Sequence, residues 1–283
     1  MNHRINRGPR HVLRAALAAV VLAGGAVLST GASALTLSPA CTVPDKLLAL
    51  TGDLGEAADH VATWGGLRVL AIGSSSTAGV GASGPGKTYP AQLQAELSKR
   101  LPGIFVRVIN RGKGGEVAAQ TAFRLRHDVL EYKPDLVIWQ VGTNDALRHV
   151  ESDAFAATLE NGLAFLHDRK IDVILIDPQM FPRAADNLAY AALVQRISAI
   201  AGHEDVAVLH RFAAMKAWAT LPEAVRRPML SADGFHMGDQ GYACLAQVLA
   251  EGIVRRLPET VADHAPAETP PSAAVARLAP VRE

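Results

Sequence analysis

The segment Leu67–Ser75, with the sequence LRVLAIGSS, joins an apolar run to a glycine and a run of serines. Its first six residues are mostly aliphatic and do not alternate with polar ones, which is typical of a parallel strand covered on both faces. Open parallel sheets bind ligands beyond the carboxyl ends of their strands. This segment therefore predicts an α/β fold and places hydroxyl groups at its ligand-binding edge.

Four similar runs follow along the chain, and helical apolar patterns lie between and after them. The runs are Ile104–Ile109, Leu136–Val141, Val173–Ile176 and Val206–Leu209. The helical patterns are Pro90–Leu101, Val117–Leu130, Ala154–Arg169, Asn187–Ala201 and Asp239–Arg256. We expect Asp153 and Asp186 to cap the two helices that follow them. The alternation predicts a three-layer α/β/α sandwich around a central, mostly parallel five-stranded sheet.

The two ends of the chain differ from this part. Residues 1–34 combine four arginines, the uncharged apolar run Ala15–Leu28 and the small residues Ala32-Ser33-Ala34, which predicts a signal peptide and an exported, periplasmic or secreted protein. An uncleaved anchor is the alternative, although the run is shorter than the roughly 20 residues of a membrane span. Residues 35–60 are interpreted as an N-terminal extension, 61–257 as one domain and 258–283, rich in Pro and Ala, as a disordered tail.

Charge and cysteine content exclude several classes of protein. Cleavage after Ala34 leaves 24 basic and 27 acidic residues, a net charge of about −3, so we expect no nucleic-acid partner. The sequence has two cysteines, Cys41 and Cys244, which can pair in an oxidising compartment or remain as buried thiols. No H-E-x-x-H motif is present and two cysteines cannot form a thiol cage, so we expect no metal or cofactor.

Polar residues and glycines also follow the other predicted strands. Asn110–Gly115 follows the second strand, Gly142–Asp145 the third and Asp177–Gln179 the fourth. Near the end of the folded part, Asp233-Gly234-Phe235-His236 places a carboxylate three residues before an imidazole, and such a neighbour can fix the tautomer of a catalytic histidine. Strand ends meet at one edge of a parallel sheet, so these groups predict a single site.

Four short sequence motifs of this chain resemble those of the SGNH (GDSL-type) hydrolase family. The motifs are Gly73–Ser75 for the G-D-S-like turn, Asn110–Gly115, Gly142–Asp145 for G-x-N-D and Asp233–His236 for D-x-x-H. The resemblance spans Leu67 to about Leu249 and implies a flavodoxin-like fold and the hydrolysis of carboxylic, acyl or acetyl esters. It implies that Ser75 is the nucleophile, His236 the base and Asp233 its acidic partner. It assigns the oxyanion hole to the N–H groups of Ser75 and Gly115 and the side-chain amide of Asn144.

One position departs from the family pattern. Ser74 replaces the usual Asp before the nucleophile, so three serines stand in a row. The alignment of the motif selects Ser75 as the nucleophile. We expect Ser74 and Ser76 to hydrogen-bond backbone groups at the following turn.

Other functions fit the sequence less well. Gly81–Thr88 matches the phosphate-binding G-x-x-x-x-G-K-[ST] pattern of nucleotide hydrolases, but Ser74–Val80 separates it from the strand that should precede it. The α/β-hydrolase motif G-x-S-x-G lacks its second glycine here. A non-catalytic domain that binds carbohydrate or envelope components remains an alternative. The predicted substrate is a small-molecule, glycan or lipid acyl ester, and the sequence does not specify its acyl group or the oligomeric state.

Overall fold

The structure, a computed structural model, describes residues 37–257. The predicted signal peptide at 1–34 and the predicted tail at 258–283 lie outside the described residues, so both stay predictions. Among residues 37–257, no helix has the length and apolar character that crossing a membrane requires.

Five parallel strands form one sheet in the centre of the protein. They are β1 (Gly66–Gly73), β2 (Phe105–Gly112), β3 (Leu136–Gln140), β4 (Asp172–Ile176) and β5 (Ala207–Leu209). Their order in the sheet is β2-β1-β3-β4-β5, and every neighbouring pair is parallel. The predicted fold class is therefore confirmed, and the strand order is the flavodoxin-like one.

Ten α-helices accompany the sheet within residues 37–257. They are α1 (Gly55–Trp64), α2 (Ser75–Ala78), α3 (Tyr89–Arg100), α4 (Ala118–Tyr132), α5 (Thr143–Leu147), α6 (Ser152–His167), α7 (Leu188–His203), α8 (Arg211–Ala219), α9 (Glu223–Arg226) and α10 (Asp239–Val254). Helices α1, α3, α8 and α10 cover one face of the sheet, and α4, α6 and α7 cover the other.

The burial of both faces explains the apolar run of the central strand β1. In β1, Val69 and Ala71 pack in the core with α3 and α10, whereas Leu70 and Ile72 pack in the core with α4 and α6. All four side chains are fully buried. A strand between two helix layers has no solvent face, so its sequence does not alternate with polar residues.

The predicted bounds of the five long helices agree with the structure to within two residues. The predicted caps are wrong. Glu151 caps α6 by accepting a hydrogen bond from the N–H of Asp153, and Asn187 caps α7 by accepting one from Tyr190. Both caps lie one or two residues away from the expected aspartates, and either a carboxylate or an amide oxygen can accept the free N–H groups of a first turn.

The segment before residue 61 belongs to the same core as the predicted domain. Cys41, Leu50 and Leu54 are buried in the cluster that contains α3 and α10, and the expected boundary at residue 61 falls inside α1. Cys41 and Cys244 form a disulfide between this segment and α10, with the two Cα atoms 4.7 Å apart.

The strand order fixes where a ligand site can form. The chain leaves β1 toward β2 on one side and later returns to place β3 on the other side of β1. Where the helices that follow two neighbouring strands lie on opposite faces of the sheet, a crevice forms between the carboxyl ends of those strands. Here the crevice lies between the ends of β1 and β3, where Gly73 and Gln140 stand.

Removal of the disulfide should destabilise the fold. The bridge closes a loop of 203 residues, and a native disulfide typically contributes about 2–5 kcal/mol, chiefly by restricting the unfolded chain. We expect urea titrations of the double variant Cys41→Ala/Cys244→Ala to give a free energy of unfolding below that of the wild type, by an amount in that range. Wild-type protein under reducing conditions is the matched control and should unfold at the same urea concentration as the variant. An unchanged midpoint for the variant would show that the bridge does not stabilise the fold.

Candidate active site

Ser75 lies at the first position of α2, directly beyond the end of β1. Its Oγ is 2.9 Å from Nε2 of His236, a residue 161 positions further along the chain. The turn before it needs a glycine at position 73, since a Cβ there would lie 2.4 Å from Oγ1 of Thr77 and 2.8 Å from Cβ of Gln140. The tight turn therefore brings the serine hydroxyl to the crevice between β1 and β3.

The two neighbouring serines point to other partners. Ser74 donates through its N–H and its hydroxyl to Oε1 of Gln140, at 3.0 and 3.1 Å. Ser76 donates its hydroxyl to Oε1 of Gln179 at 2.7 Å. The expectation that these hydroxyls bond backbone groups is wrong, because two buried amides, one at the end of β3 and one beyond the end of β4, supply better-placed acceptors. Of the three serines, Ser75 is the one whose hydroxyl contacts the imidazole.

Asp233 holds the other side of the imidazole. Its Oδ2 lies 2.6 Å from Nδ1 of His236, and its Oδ1 accepts the N–H groups of Phe235 and His236 and the hydroxyl of Ser231. Desolvation alone would raise the pKa of Asp233, but the hydrogen bonds from His236, Phe235 and Ser231 together hold it well below its usual value. The carboxylate therefore stays charged beside the imidazole.

Asn144 is hydrogen-bonded to the loop that carries Gly115. The side-chain amide of Asn144 donates to the carbonyl of Glu116 at 2.7 Å, and its second N–H is left for another acceptor. Gly115 has a φ of +79°, a conformation that glycine adopts without strain. A Cβ on Gly114 would lie 4.0 Å from Cβ of Ser75, so this loop borders the nucleophile. Within residues 37–257, the N–H groups of Ser75 and Gly115 have no hydrogen-bond acceptor.

Charged side chains hold the Gly115 loop in place. Arg124 on α4 donates to both carboxylate oxygens of Glu116, at 2.7 to 3.1 Å, and to the carbonyl of Arg111 at 3.1 Å. Asp145 accepts the N–H groups of Ala118 and Gly142, which joins the loop after β2 to the loop after β3. Burial raises the pKa of Asp145, and these N–H groups oppose that shift.

The sequence motif that resembles a phosphate-binding loop has a different geometry in the structure. Helix α2 separates it from β1, so it does not join a strand to a helix as a phosphate-cradling loop does. Ser83 donates its N–H and hydroxyl to Asp239 at 2.8 and 2.6 Å. A Cβ on Gly81 would lie 2.4 Å from the carbonyl of Met237. The loop Gly81–Thr88 thus packs against the turn that carries His236.

The sequence predicted the nearness of Ser75, Asp233 and His236, and the structure brings all three into one hydrogen-bonded chain. It also bonds Asn144 to the loop of Gly115, and this loop borders Ser75 at Gly114. The sequence places Gln179 at this edge of the sheet without indicating its role, and it assigns neither Gln140 nor Arg124 to the site. A polar glutamine at the end of the apolar strand β3 could have indicated that Gln140 belongs to the site. Nothing in the local sequence distinguishes Arg124 from other arginines on helices.

This arrangement can perform acyl transfer. A hydroxyl that is hydrogen-bonded to an imidazole can lose its proton as it attacks, and an adjacent carboxylate stabilises the imidazolium that forms. N–H groups without acceptors beside the hydroxyl can bind the negative oxygen of a tetrahedral intermediate.

Known proteins share the sequence pattern and the fold. The sequence model of the Non-GDSL lipase-like family matches residues 40–259. An arylesterase of Vibrio mimicus is 24% identical over 192 residues, which are 67% of this chain and 90% of that protein. An acetylxylan esterase of Geobacillus stearothermophilus is 32% identical over 114 residues, 34% of this chain and 52% of that protein. The crystal structure of the lipase/acylhydrolase from Enterococcus faecalis superimposes with a TM-score of 0.57 at 26% identity, covering 68% of this chain and 97% of that chain.

Substitution of Asn144 should slow catalysis without weakening substrate binding. We expect Asn144→Ala to lower the kcat for ester hydrolysis by about 100- to 1000-fold, the usual effect of losing one oxyanion donor. The variant also loses the bond to Glu116 that orients the Gly115 loop. Steady-state kinetics on p-nitrophenyl acetate measure the effect, and thermal unfolding serves as the control for folding. A kcat equal to that of the wild type would mean that the amide does not face the reacting oxygen.

Proposed function

Since the chain belongs to the Non-GDSL lipase-like family and its relatives are ester hydrolases, we propose that it is a serine esterase with Ser75 as nucleophile. The observation that carries this proposal is the continuous contact from Asp233 through His236 to Ser75, with distances of 2.6 and 2.9 Å. The family membership agrees with the resemblance to SGNH hydrolases that the sequence motifs indicate.

In the proposed mechanism, Oγ of Ser75 attacks the ester carbonyl while Nε2 of His236 takes the hydroxyl proton. The resulting oxyanion accepts hydrogen bonds from the N–H groups of Ser75 and Gly115 and from the amide of Asn144. The C–O bond to the leaving alcohol then breaks, and His236 returns the proton to that alcohol. Water attacks the acyl-serine by the same route and releases the acid and free Ser75.

Asp233 keeps the imidazole ready for both proton transfers. Because the hydrogen bonds hold its pKa well below the usual value, it remains a carboxylate at neutral pH. A carboxylate bonded to Nδ1 leaves Nε2 without a proton and facing Ser75, which is the tautomer that a general base needs.

The names of the relatives indicate which substrates to test first. An arylesterase and an acetylxylan esterase act on esters that differ in the alcohol part, so we propose an acyl or acetyl ester of a small molecule, glycan or lipid as the substrate class. A series of p-nitrophenyl esters of increasing acyl length, run beside acetylated xylan, would define the acyl and alcohol preferences.

We also propose that the protein is exported. Residues 1–34 have the composition of a signal peptide. The disulfide between Cys41 and Cys244 supports this proposal, because such bonds persist mainly in oxidising compartments.

The central test compares substitutions at two adjacent serines. Ser75→Ala should abolish the hydrolysis of p-nitrophenyl acetate, because no hydroxyl remains beside Nε2 of His236. Ser74→Ala is the matched control and should retain activity, since the N–H of Ser74 still bonds Gln140 after the hydroxyl is lost. Thermal unfolding of both variants checks that the fold is intact.

Two outcomes would overturn the proposal. Full activity in Ser75→Ala would exclude Ser75 as the nucleophile. A folded wild-type protein that turns over none of the esters but binds a glycan in calorimetry would favour the non-catalytic carbohydrate-binding alternative.

Export can be tested separately by producing the full chain in a bacterium with an active secretion pathway. We expect the protein recovered outside the cytoplasm to begin at Leu35, because cleavage would follow Ala34. N-terminal sequencing or intact mass measures this end, and recovery of a protein that begins at Met1 would contradict the predicted cleavage.

A further inference from the structure

Gln179 connects the segment of Ser75 with the segment of His236. It lies three residues beyond the end of β4 and has no solvent-exposed surface. Its Oε1 accepts the hydroxyl of Ser76 at 2.7 Å, and its Nε2 donates to the carbonyl of Phe235 at 2.9 Å. Ser76 follows Ser75 in the chain, and Phe235 precedes His236. One buried amide therefore spans both segments whose side chains meet at 2.9 Å.

The backbone of Gln179 is itself fixed. Its carbonyl accepts the hydroxyl of Tyr190 at 2.7 Å, and its N–H reaches Oγ1 of Thr143 at 3.4 Å. Thr143 precedes Asn144, so the same residue also contacts the segment that carries the amide donor. Because these bonds fix the backbone of Gln179 relative to the sheet, the two ends of its side-chain amide also have fixed positions.

The donors and acceptors around Gln179 admit only one orientation of its amide. The carbonyl of Phe235 can only accept a hydrogen bond, so the atom that faces it must be the N–H group. The other end, Oε1, is then left for the hydroxyl of Ser76. A glutamate at this position would satisfy both partners only as a neutral carboxylic acid, whose carbonyl accepts from Ser76 and whose O–H donates to Phe235.

We propose that Gln179 is a positioning residue that sets the distance between Oγ of Ser75 and Nε2 of His236. This inference rests on the proposed serine mechanism. Gln179 contacts neither the substrate nor the reacting atoms and acts through α2 on one side and through the 233–236 turn on the other. A misplacement of about 1 Å in a catalytic pair can reduce the rate about 100-fold, so the loss of this bridge should appear in kcat.

The test uses two substitutions that remove the bridge in different ways. Gln179→Met keeps a similar length but loses both hydrogen bonds, and Gln179→Glu keeps both only when it is protonated. We expect Gln179→Met to lower kcat and kcat/KM by a similar factor, about 10- to 100-fold, with little change in KM.

The glutamate variant has a signature that loss of folding stability would not produce. Its ionised form places a negative oxygen against the carbonyl of Phe235, whereas its protonated form restores both bonds. The ratio of kcat/KM in Gln179→Glu to that in the wild type should therefore rise as the pH is lowered from about 8 to about 5, because a buried carboxyl is protonated in that range. The wild type, measured over the same pH range, supplies the reference for pH effects that do not arise at position 179.

Thr121→Val is the matched control for losing a buried hydrogen bond. Oγ1 of Thr121 accepts the Nε1–H of Trp139 at 2.9 Å, and both side chains are buried in the core on the α4 side of the sheet. We expect this variant to lower the melting temperature and to leave kcat within about twofold of the wild type, since the change does not reach the triad.

The outcomes separate this inference from the proposed function. If Ser75→Ala abolishes activity while the folded Gln179→Met keeps the wild-type kcat, the bridge does not position the pair and the inference fails. A ratio for Gln179→Glu that does not change with pH would also contradict it. If Ser75→Ala remains active, the proposed function fails first, whatever Gln179 does.

Discussion

The contact between Ser75 and His236 joins two residues 161 positions apart, and the arrangement of the site depends on it. A hydrogen bond of 2.9 Å tolerates little movement, because its strength falls steeply with distance and angle. The serine is carried by a four-residue helix and the histidine by a turn, neither of which is rigid alone. The surrounding structure must therefore hold both segments.

Buried hydrogen bonds at the carboxyl edge of the sheet supply that support. Polar groups without solvent must find partners inside the protein, and here they find them on neighbouring loops. Gln140 accepts the N–H of Ser74, Gln179 holds Ser76 and Phe235, and Arg124 holds the loop of Gly115 through Glu116. Each bond satisfies a buried group and at the same time fixes one segment of the site.

Helix α10 helps to hold the turn that carries His236. Helix α10 begins three residues after His236, and the disulfide from Cys244 in this helix ties it to the N-terminal segment. Asp239, its first residue, holds the loop at Ser83. The helix that follows the histidine turn is thus secured at its start by a carboxylate and further along by a covalent bond.

The sequence by itself determined the five strands, the five long helices and the α/β class, because strands covered by helices are mostly apolar and amphipathic helices must repeat at their own period. Its resemblance to the SGNH hydrolases also selected Ser75, Asp233, His236, Gly115 and Asn144 as candidates for one site. Only the tertiary structure decided the partners of Ser74 and Ser76 and the membership of the N-terminal segment in the core. It alone also decided the bridging position of Gln179. These depend on distances between segments far apart in the chain, and no local pattern of residues encodes such distances.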